Sequence, residues 1–242
     1  MTASNKVMLI TGAAKRIGAY LAQAAHSDGY KIVLHYRTSA KQTQVLAKQL
    51  NAIRANSCLT VQADFSKNND FADLVKAIEL KFKRLDVLIN NASEFFQTDF
   101  ATFNLENYNT LFDSNLKGAL FLSQACLPLL QKSQGNIINM VDIHADKPLK
   151  NYSVYCMAKA ANKMMVKALA KELAPTIRVN GIAPGFIENP IDNNFQPKII
   201  NRIALKRQGT KHNIYQTVQF ILKNDYLTGQ IIKVDGGRSL NM

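Results

Sequence analysis

The stretch Lys6-Val7-Met8-Leu9-Ile10-Thr11-Gly12-Ala13-Ala14-Lys15-Arg16-Ile17-Gly18 decides how the chain folds. Its first part, Lys6–Thr11, is a short apolar run without polar alternation, the pattern of a strand buried on both faces. A turn bracketed by Gly12 and Gly18 follows, and Gly18–Ser27 reads as a helix. A strand that passes through a glycine turn into a helix gathers backbone N–H groups and the positive end of the helix at one point, which suits a phosphate. Two glycines alone carry little weight; the strand before and the helix after supply it.

The alternation continues outward. Apolar runs at Lys31–Tyr36, Leu59–Ala63, Leu85–Asn90, Asn136–Val141, Ile177–Ile182 and Gln230–Val234 read as further strands. Between them Ala40–Ile53, Phe71–Phe82 and Ser153–Leu173 read as helices, the last closed by Pro175, and Leu105–Gln131 holds one or more long helical pieces. Steady strand–helix alternation predicts an α/β domain: a doubly wound, parallel seven-stranded sheet of Rossmann type, flanked by helices on both faces. No repeat, low-complexity tract or composition break divides the chain, so residues 1–242 read as one domain. Sheets of this kind bind ligands beyond the carboxyl ends of their strands.

Composition excludes several classes. The chain has 242 residues, 47% hydrophobic and 19% charged, too apolar for disorder and ample for one core. No stretch approaches the roughly 20 apolar residues of a membrane helix, and Val7–Ile10 is too short for the core of a signal peptide. Cys58, Cys126 and Cys156 are odd in number without metal-like spacing, which predicts a reducing, cytoplasmic setting. His26, His35, His144 and His212 lack zinc-ligand spacing, so no metal is expected. The net charge is +13, with basic residues scattered apart from short clusters such as Lys81, Lys83, Arg84 and Lys206, Arg207. That distribution favours an anionic small molecule over nucleic acid.

The strand ends carry the chemistry. After the second strand, Tyr36-Arg37-Thr38-Ser39 places a guanidinium and two hydroxyls where an NAD-preferring site usually has an acidic residue for the ribose 2′-hydroxyl. Arginine grips a phosphate in bidentate fashion, so NADP(H) is the expected cofactor. Asp64, after the third strand, can accept from the adenine amino group. After the fourth strand come Asn91-Ala92-Ser93, then Glu94 and the paired aromatics Phe95 and Phe96.

Tyr155 and Lys159 stand at i and i+4, one turn apart on one helical face, and Asp142 precedes the tyrosine by thirteen residues. A free tyrosine has a pKa of about 10, and a nearby ammonium is expected to lower it, giving a tuned acid or base. Tyr152 is a weaker candidate because position 156 is Cys rather than Lys. Cys156 is rotated about 100° from Tyr155 and is expected to pack. His144 lies near the pocket without an evident role.

Thr11-Gly12, Gly18, Asp64, Asn91-Ala92, Asn115, Tyr155, Lys159, Pro184-Gly185 and Asp235-Gly236-Gly237, in this order and spacing, resemble the short-chain dehydrogenase/reductase family along essentially the whole chain. Three departures are informative. Arg16 replaces the middle glycine of the first turn, Ser93 the glycine of Asn-Asn-Ala-Gly, and Asp142 the usual catalytic serine. With His35-Tyr36-Arg37 and Phe95 they look like the pteridine reductase branch, which includes the bacterial dihydromonapterin reductases.

The resemblance implies roles. Gly12, Arg16, Ile17 and Gly18 would cradle the NADPH phosphates, Arg37, Thr38 and Ser39 would hold the 2′-phosphate, and Asp64, Phe65 and Ser66 would meet the adenine. Asn91, Ala92 and Ser93 would line the path to the nicotinamide, with Tyr36, Met140, Pro184 and Gly185 among the remaining cofactor contacts. Lys159 would hold the nicotinamide ribose and tune Tyr155, and Asn115 would help place the lysine through water. A pterin would stack between Phe95 and the nicotinamide, touched by Arg16, Ser93, Asp142 and Tyr155. A carboxyl in place of serine suits a C=N bond whose nitrogen gains a proton, and desolvation would raise its pKa. Residues 186–211 would form the substrate loop, where Phe186-Ile187-Glu188-Asn189 lacks the family's threonine. Family members are commonly homotetramers joined through the helices within Leu105–Gln131 and Ser153–Leu173; Leu116, Leu120, Ala125, Met164, Val166 and Leu169 read equally as core or interface. The function implied is NADPH-dependent reduction of a dihydropterin. The alternatives are a carbonyl or 3-oxoacyl-thioester reductase, and a non-catalytic NADP(H)-binding sensor.

Overall fold

Val7–Ile10 forms β1, wholly buried, and its side chains alternate between two cores: Val7 and Leu9 face one, Met8 and Ile10 the other. The computed structural model describes residues 5–67, 70–187 and 196–241. Around β1 lie β2 (Lys31–Tyr36), β3 (Cys58–Gln62), β4 (Val87–Asn90), β5 (Asn136–Met140), β6 (Arg178–Pro184) and β7 (Ile231–Val234). All pairings are parallel, in the order β3-β2-β1-β4-β5-β6-β7.

The helices are α1 (Arg16–Ser27), α2 (Ala40–Ile53), α3 (Asp70–Phe82), α4 (Leu105–Phe112), α5 (Gly118–Ala125), α6 (Leu127–Ser133), α7 (Ser153–Leu173), α8 (Gln196–Ile200) and α9 (Lys211–Lys223). Leu21 of α1, Leu46 of α2 and Ile214 of α9 join the core of Met8 and Ile10. Leu74 of α3, Leu122 of α5, Leu129 of α6 and Val166 of α7 join that of Val7 and Leu9. The expected seven-stranded, doubly wound sheet is thus present. Connections leave in opposite directions from β1 and β4, and the crevice between their carboxyl ends is where such sheets bind ligands.

Three local differences from the sequence reading have physical causes. β4 begins at Val87 rather than Leu85, because the buried Asp86 carboxylate accepts from Val7 N (2.8 Å) and is gripped by Arg84 Nε (2.9 Å). The segment 105–131 is broken into α4, a π-helical turn Asp113–Lys117, α5 and α6, with Pro128 in the first turn of α6. Helix α9 is absent from the sequence reading. Its start is a capping box in which Asn213 N donates to Thr210 Oγ1 (3.3 Å) and Thr210 N donates to Asn213 Oδ1 (3.0 Å). The three cysteines are buried and free, and burial pushes the thiols of Cys58 and Cys126 up to about 12. Among the described residues no helix is long and apolar enough to cross a membrane.

Candidate active site

The turn after β1 is locked to the end of β4. Thr11 Oγ1 accepts from the backbone N–H groups of Asn91 and Ala92, both at 2.8 Å. In return the Asn91 amide donates to Thr11 O (2.9 Å) and Gly12 O (3.3 Å). The Asn91 amide is thus directed into backbone and holds the turn, through which any contact with a cofactor would be made. Gly12, at φ +62°, and Gly18 are required by closeness: a Cβ on Gly18 would lie 2.4 Å from Gly12 O and 2.7 Å from Asn91 Nδ2. His35, buried under the turn, takes the Gly12 N–H on Nδ1 (3.3 Å), so its Nε2 carries the proton and donates to Ala63 O (3.0 Å). No local pattern in the sequence shows that support, because His35 and Gly12 are 23 residues apart.

Arg16 opens α1 with φ +52°, the left-handed region that favours glycine, and its side chain is exposed. Ile17 is half-buried and packs against the core of Met8 and Ile10, so its cofactor contact would come through backbone.

From this turn a cleft of about 1230 Å³ runs over the ends of β2, β3 and β4, lined by Gly12, Tyr36, Arg37, Thr38, Ser39, Asp64, Ser66, Ala92 and Ser93. Asp64 is held ionised, its carboxyl lowered first by the Ser66 N–H (3.1 Å) and then by the Ser66 hydroxyl (2.9 Å) and Arg37. The Phe65 ring is buried, stacked on His35 (4.4 Å between centroids) and Phe71 (5.2 Å), which leaves its backbone for the cleft. Arg37 meets Glu94 across the cleft, Nη2 to Oε1 at 2.7 Å. A glycine cradle, an ionised carboxylate and a guanidinium flanked by two hydroxyls are a donor set that fits a dinucleotide phosphate chain and adenosine.

The reactive end lies beyond β5. Tyr155 Oη donates to Asp142 Oδ2 at 2.7 Å, and Asp142 Oδ1 accepts from His144 N at 2.8 Å. Asp142 thus caps the turn Ile143–Ala145 and engages the phenol at once. Lys159, buried in α7, donates to Met140 O (2.9 Å), and its ammonium lies 5.7 Å from the centre of the Tyr155 ring. The expected lowering of the phenol is overturned. Burial, then the Asp142 charge and its hydrogen bond, push Tyr155 up. Burial and the touching carboxylate act in the same direction, while the ammonium faces a carbonyl instead of the hydroxyl. Burial brings Lys159 down to about 8, against the pull of Asp142. The tyrosine is accordingly a proton-bearing acid.

The wall of the pocket is aromatic. Phe95, half exposed, stacks on Tyr152 (4.5 Å, 13°) and meets Tyr155 edge-on (4.8 Å, 78°). Tyr152 is thus a partner of Phe95 rather than a rival of Tyr155. Asn115, in the π-helical turn, accepts from Ser93 Oγ (2.7 Å) and donates to Glu94 O and Leu111 O (2.9 Å each). Its main-chain oxygen accepts from Asn162 Nδ2 at 2.6 Å. Its side chain positions the loop after β4. Extra residues in helices concentrate at functional sites, and this one has a visible job.

Pro184 ends β6, and a Cβ on Gly185 would lie 2.6 Å from Asp235 Cβ, so Pro184-Gly185 packs closely on Asp235-Gly236-Gly237. Cys156 packs as expected, its sulfur accepting from Leu149 N. Of the expected substrate loop, residues 188–195, with Glu188 and Asn189, lie outside the described residues.

A family model described as enoyl-(acyl carrier protein) reductase matches residues 12–239. Pteridine reductase 1 of Leishmania tarentolae is 36% identical over 278 residues, covering 97% of this chain and 96% of that protein. A 3-oxoacyl-(acyl-carrier-protein) reductase of Staphylococcus epidermidis is 31% identical, covering 96% of this chain and 98% of its own. One of Synechocystis is 32% identical, covering 96% of each chain. With the Thr11–Gly18 turn, the crevice at β1 and β4 and the Tyr155–Lys159 pair at its reactive end, these matches make the chain a member of the short-chain dehydrogenase/reductase family.

Proposed function

We propose that this oxidoreductase uses NADPH to reduce a dihydropterin to its tetrahydro form. The observation that carries the reading is the Tyr155–Asp142 hydrogen bond of 2.7 Å, on a tyrosine whose ring meets Phe95 edge-on. When bound, NADPH supplies the hydride that goes to carbon of a C=N bond. Tyr152 backs one face of the Phe95 ring, and the half-exposed ring has its other face for a pterin to stack on. Tyr155, kept protonated by burial and by Asp142, would turn its Oη proton from the carboxylate to the ring nitrogen that gains the electron pair, the nearby Lys159 ammonium offsetting the phenolate until solvent returns a proton. Until then Asp142 fixes the phenol at one angle, and its remaining lone pairs can accept from pterin N–H groups. Lys159 balances the carboxylate. Arg37, Thr38 and Ser39 support NADPH over NADH at the far end of the cleft. The 36% identity to a pteridine reductase agrees with this reading.

A second reading, reduction of a 3-oxoacyl thioester, is favoured by the relatives from Staphylococcus epidermidis and Synechocystis. NADPH oxidation is followed with dihydromonapterin, dihydrobiopterin, dihydrofolate and an acetoacetyl thioester. Turnover confined to pterins supports the proposal, and turnover with the thioester alone replaces it by the second reading. No turnover with retained NADPH binding puts the sensor reading first. Leu120, Phe121 and Met164 are exposed on α5 and α7, whereas Val166 is core, so a homotetramer joined through these helices is the proposed assembly; the cytoplasm is its proposed place, on the reading of the three cysteines as thiols.

A further inference from the structure

Arg37 follows β2 and Glu94 follows β4, and the strand between them is β1. Their ion pair of 2.7 Å therefore spans two strand spacings, roughly 10 Å, across the crevice above the Gly12 turn. A dinucleotide lying along that crevice has to pass this bridge. Glu94 is held from both sides of its backbone: its N–H donates to Ser114 Oγ (3.2 Å) and its carbonyl accepts from Asn115 Nδ2 (2.9 Å). Its carboxylate is thus aimed by the π-helical turn, and it lines the same cleft as Arg37, Thr38 and Ser39.

We propose that Glu94 competes with the 2′-phosphate of NADPH for Arg37, and so sets how strongly the site prefers NADPH over NADH. The inference rests on the NADP(H) reading given above. A phosphate monoester carries about −1.5 to −2 charges at neutral pH, so the guanidinium exchanges a carboxylate for a stronger anion. The displaced carboxylate then stands beside the phosphate and repels it. An NADH ribose hydroxyl, being neutral, is free of that repulsion and can donate to Glu94, as a ribose does to the acidic residue of NAD sites. The carboxylate comes here from the loop after β4 rather than from the end of β2, which already holds Arg37. Both side chains are part-exposed, so the effect is screened by salt.

The test is a set of fluorescence titrations of the full chain with NADPH and with NADH, at low and high ionic strength. Wild type, E94Q, R37Q and the double variant are compared. E94Q is expected to tighten NADPH by about three- to fivefold at low salt while NADH stays within about twofold. The gain should shrink at high salt and fall below about twofold in the R37Q background. An E94Q that leaves NADPH affinity unchanged in a protein that prefers NADPH overturns the inference and leaves the cofactor reading standing. An equal gain with and without Arg37 also overturns it, because Glu94 would then act by repulsion alone. Wild type that prefers NADH defeats the cofactor reading; the role of Glu94 then stands only if E94Q still tightens NADPH selectively, and falls otherwise.

Discussion

The two oxygens of Asp142 answer to two different donors: Oδ2 takes the Tyr155 hydroxyl at 2.7 Å and Oδ1 takes the His144 amide at 2.8 Å. The second bond fixes the carboxylate, so the first holds the phenol at one angle. A hydroxyl-bearing serine at this position would offer a proton to the substrate; a doubly engaged carboxylate instead keeps the proton on tyrosine.

Asp142→Asn leaves one oxygen for two donors and brings an amide N–H against one of them. Turnover should fall by about 10²- to 10⁴-fold, the usual worth of a positioned proton donor, while NADPH affinity stays within about threefold. Tyr155→Phe should behave alike. Steady-state rates beside NADPH titrations decide the matter, and a Tyr155→Phe protein as fast as wild type removes the tyrosine from the mechanism.

Lys159 titrates at about 8 in the folded chain against 10.5 for a free lysine. Between those values the unfolded chain holds the proton and the folded chain does not, so stability rises with pH across about 8 to 10.5. Below pH 8 both states are charged and burial of the ammonium is a constant cost. Lys159→Met should therefore be the more stable protein at pH 7, by on the order of 2–3 kcal/mol, with the advantage fading towards pH 10. Urea midpoints at a series of pH values measure it. Turnover of wild type should decline above pH 8 as the ammonium is lost, because Tyr155, pushed up, does not titrate in that range.

Arg16 occupies a glycine-like conformation at φ +52°. Relief of that strain in Arg16→Gly, roughly 1–2 kcal/mol, is largely offset by the looser unfolded chain, so stability should change by less than about 1 kcal/mol. NADPH binding should weaken by about tenfold if the guanidinium meets a phosphate. Unchanged affinity would assign the residue to the substrate side alone.

Gly18→Ala places a methyl 2.4 Å from Gly12 O. The turn must open, at a cost of about 1–3 kcal/mol, and the phosphate cradle opens with it. Thermal unfolding and NADPH titration should both report the loss; a normal affinity would show that the cradle tolerates the shift.

Much of this is legible in the sequence. Buried strands announce themselves as apolar runs, and Lys31–Tyr36, Ala40–Ile53 and Ser153–Leu173 match β2, α2 and α7 residue for residue. The pairing of Tyr155 with Asp142 follows from strand-end logic once β5 and α7 are placed. Helix α9 escaped because its cap uses Asn213 in place of the commoner Glu or Gln, and because it follows a stretch rich in loop residues. The direction of the Tyr155 shift escaped for another reason: spacing along a helix shows that Lys159 is near, but not that its ammonium turns to Met140 O. His35 and Tyr152 act through partners far away in sequence, Gly12 and Phe95, which no local pattern shows.

The π-helical turn Asp113–Lys117 amounts to one surplus residue in a helix that otherwise continues from Leu105 to Ala125. Each residue of an α-helix turns the chain by about 100°, so removing one residue there would restore regular winding and swing Asn115 away from Ser93. The packing of Leu122 on the sheet, beyond the turn, would be kept. Stability and the shape of the loop that bears Glu94 and Phe95 are therefore separately adjustable. A lineage could redraw the mouth of this pocket by a single-codon deletion without rebuilding its foundations.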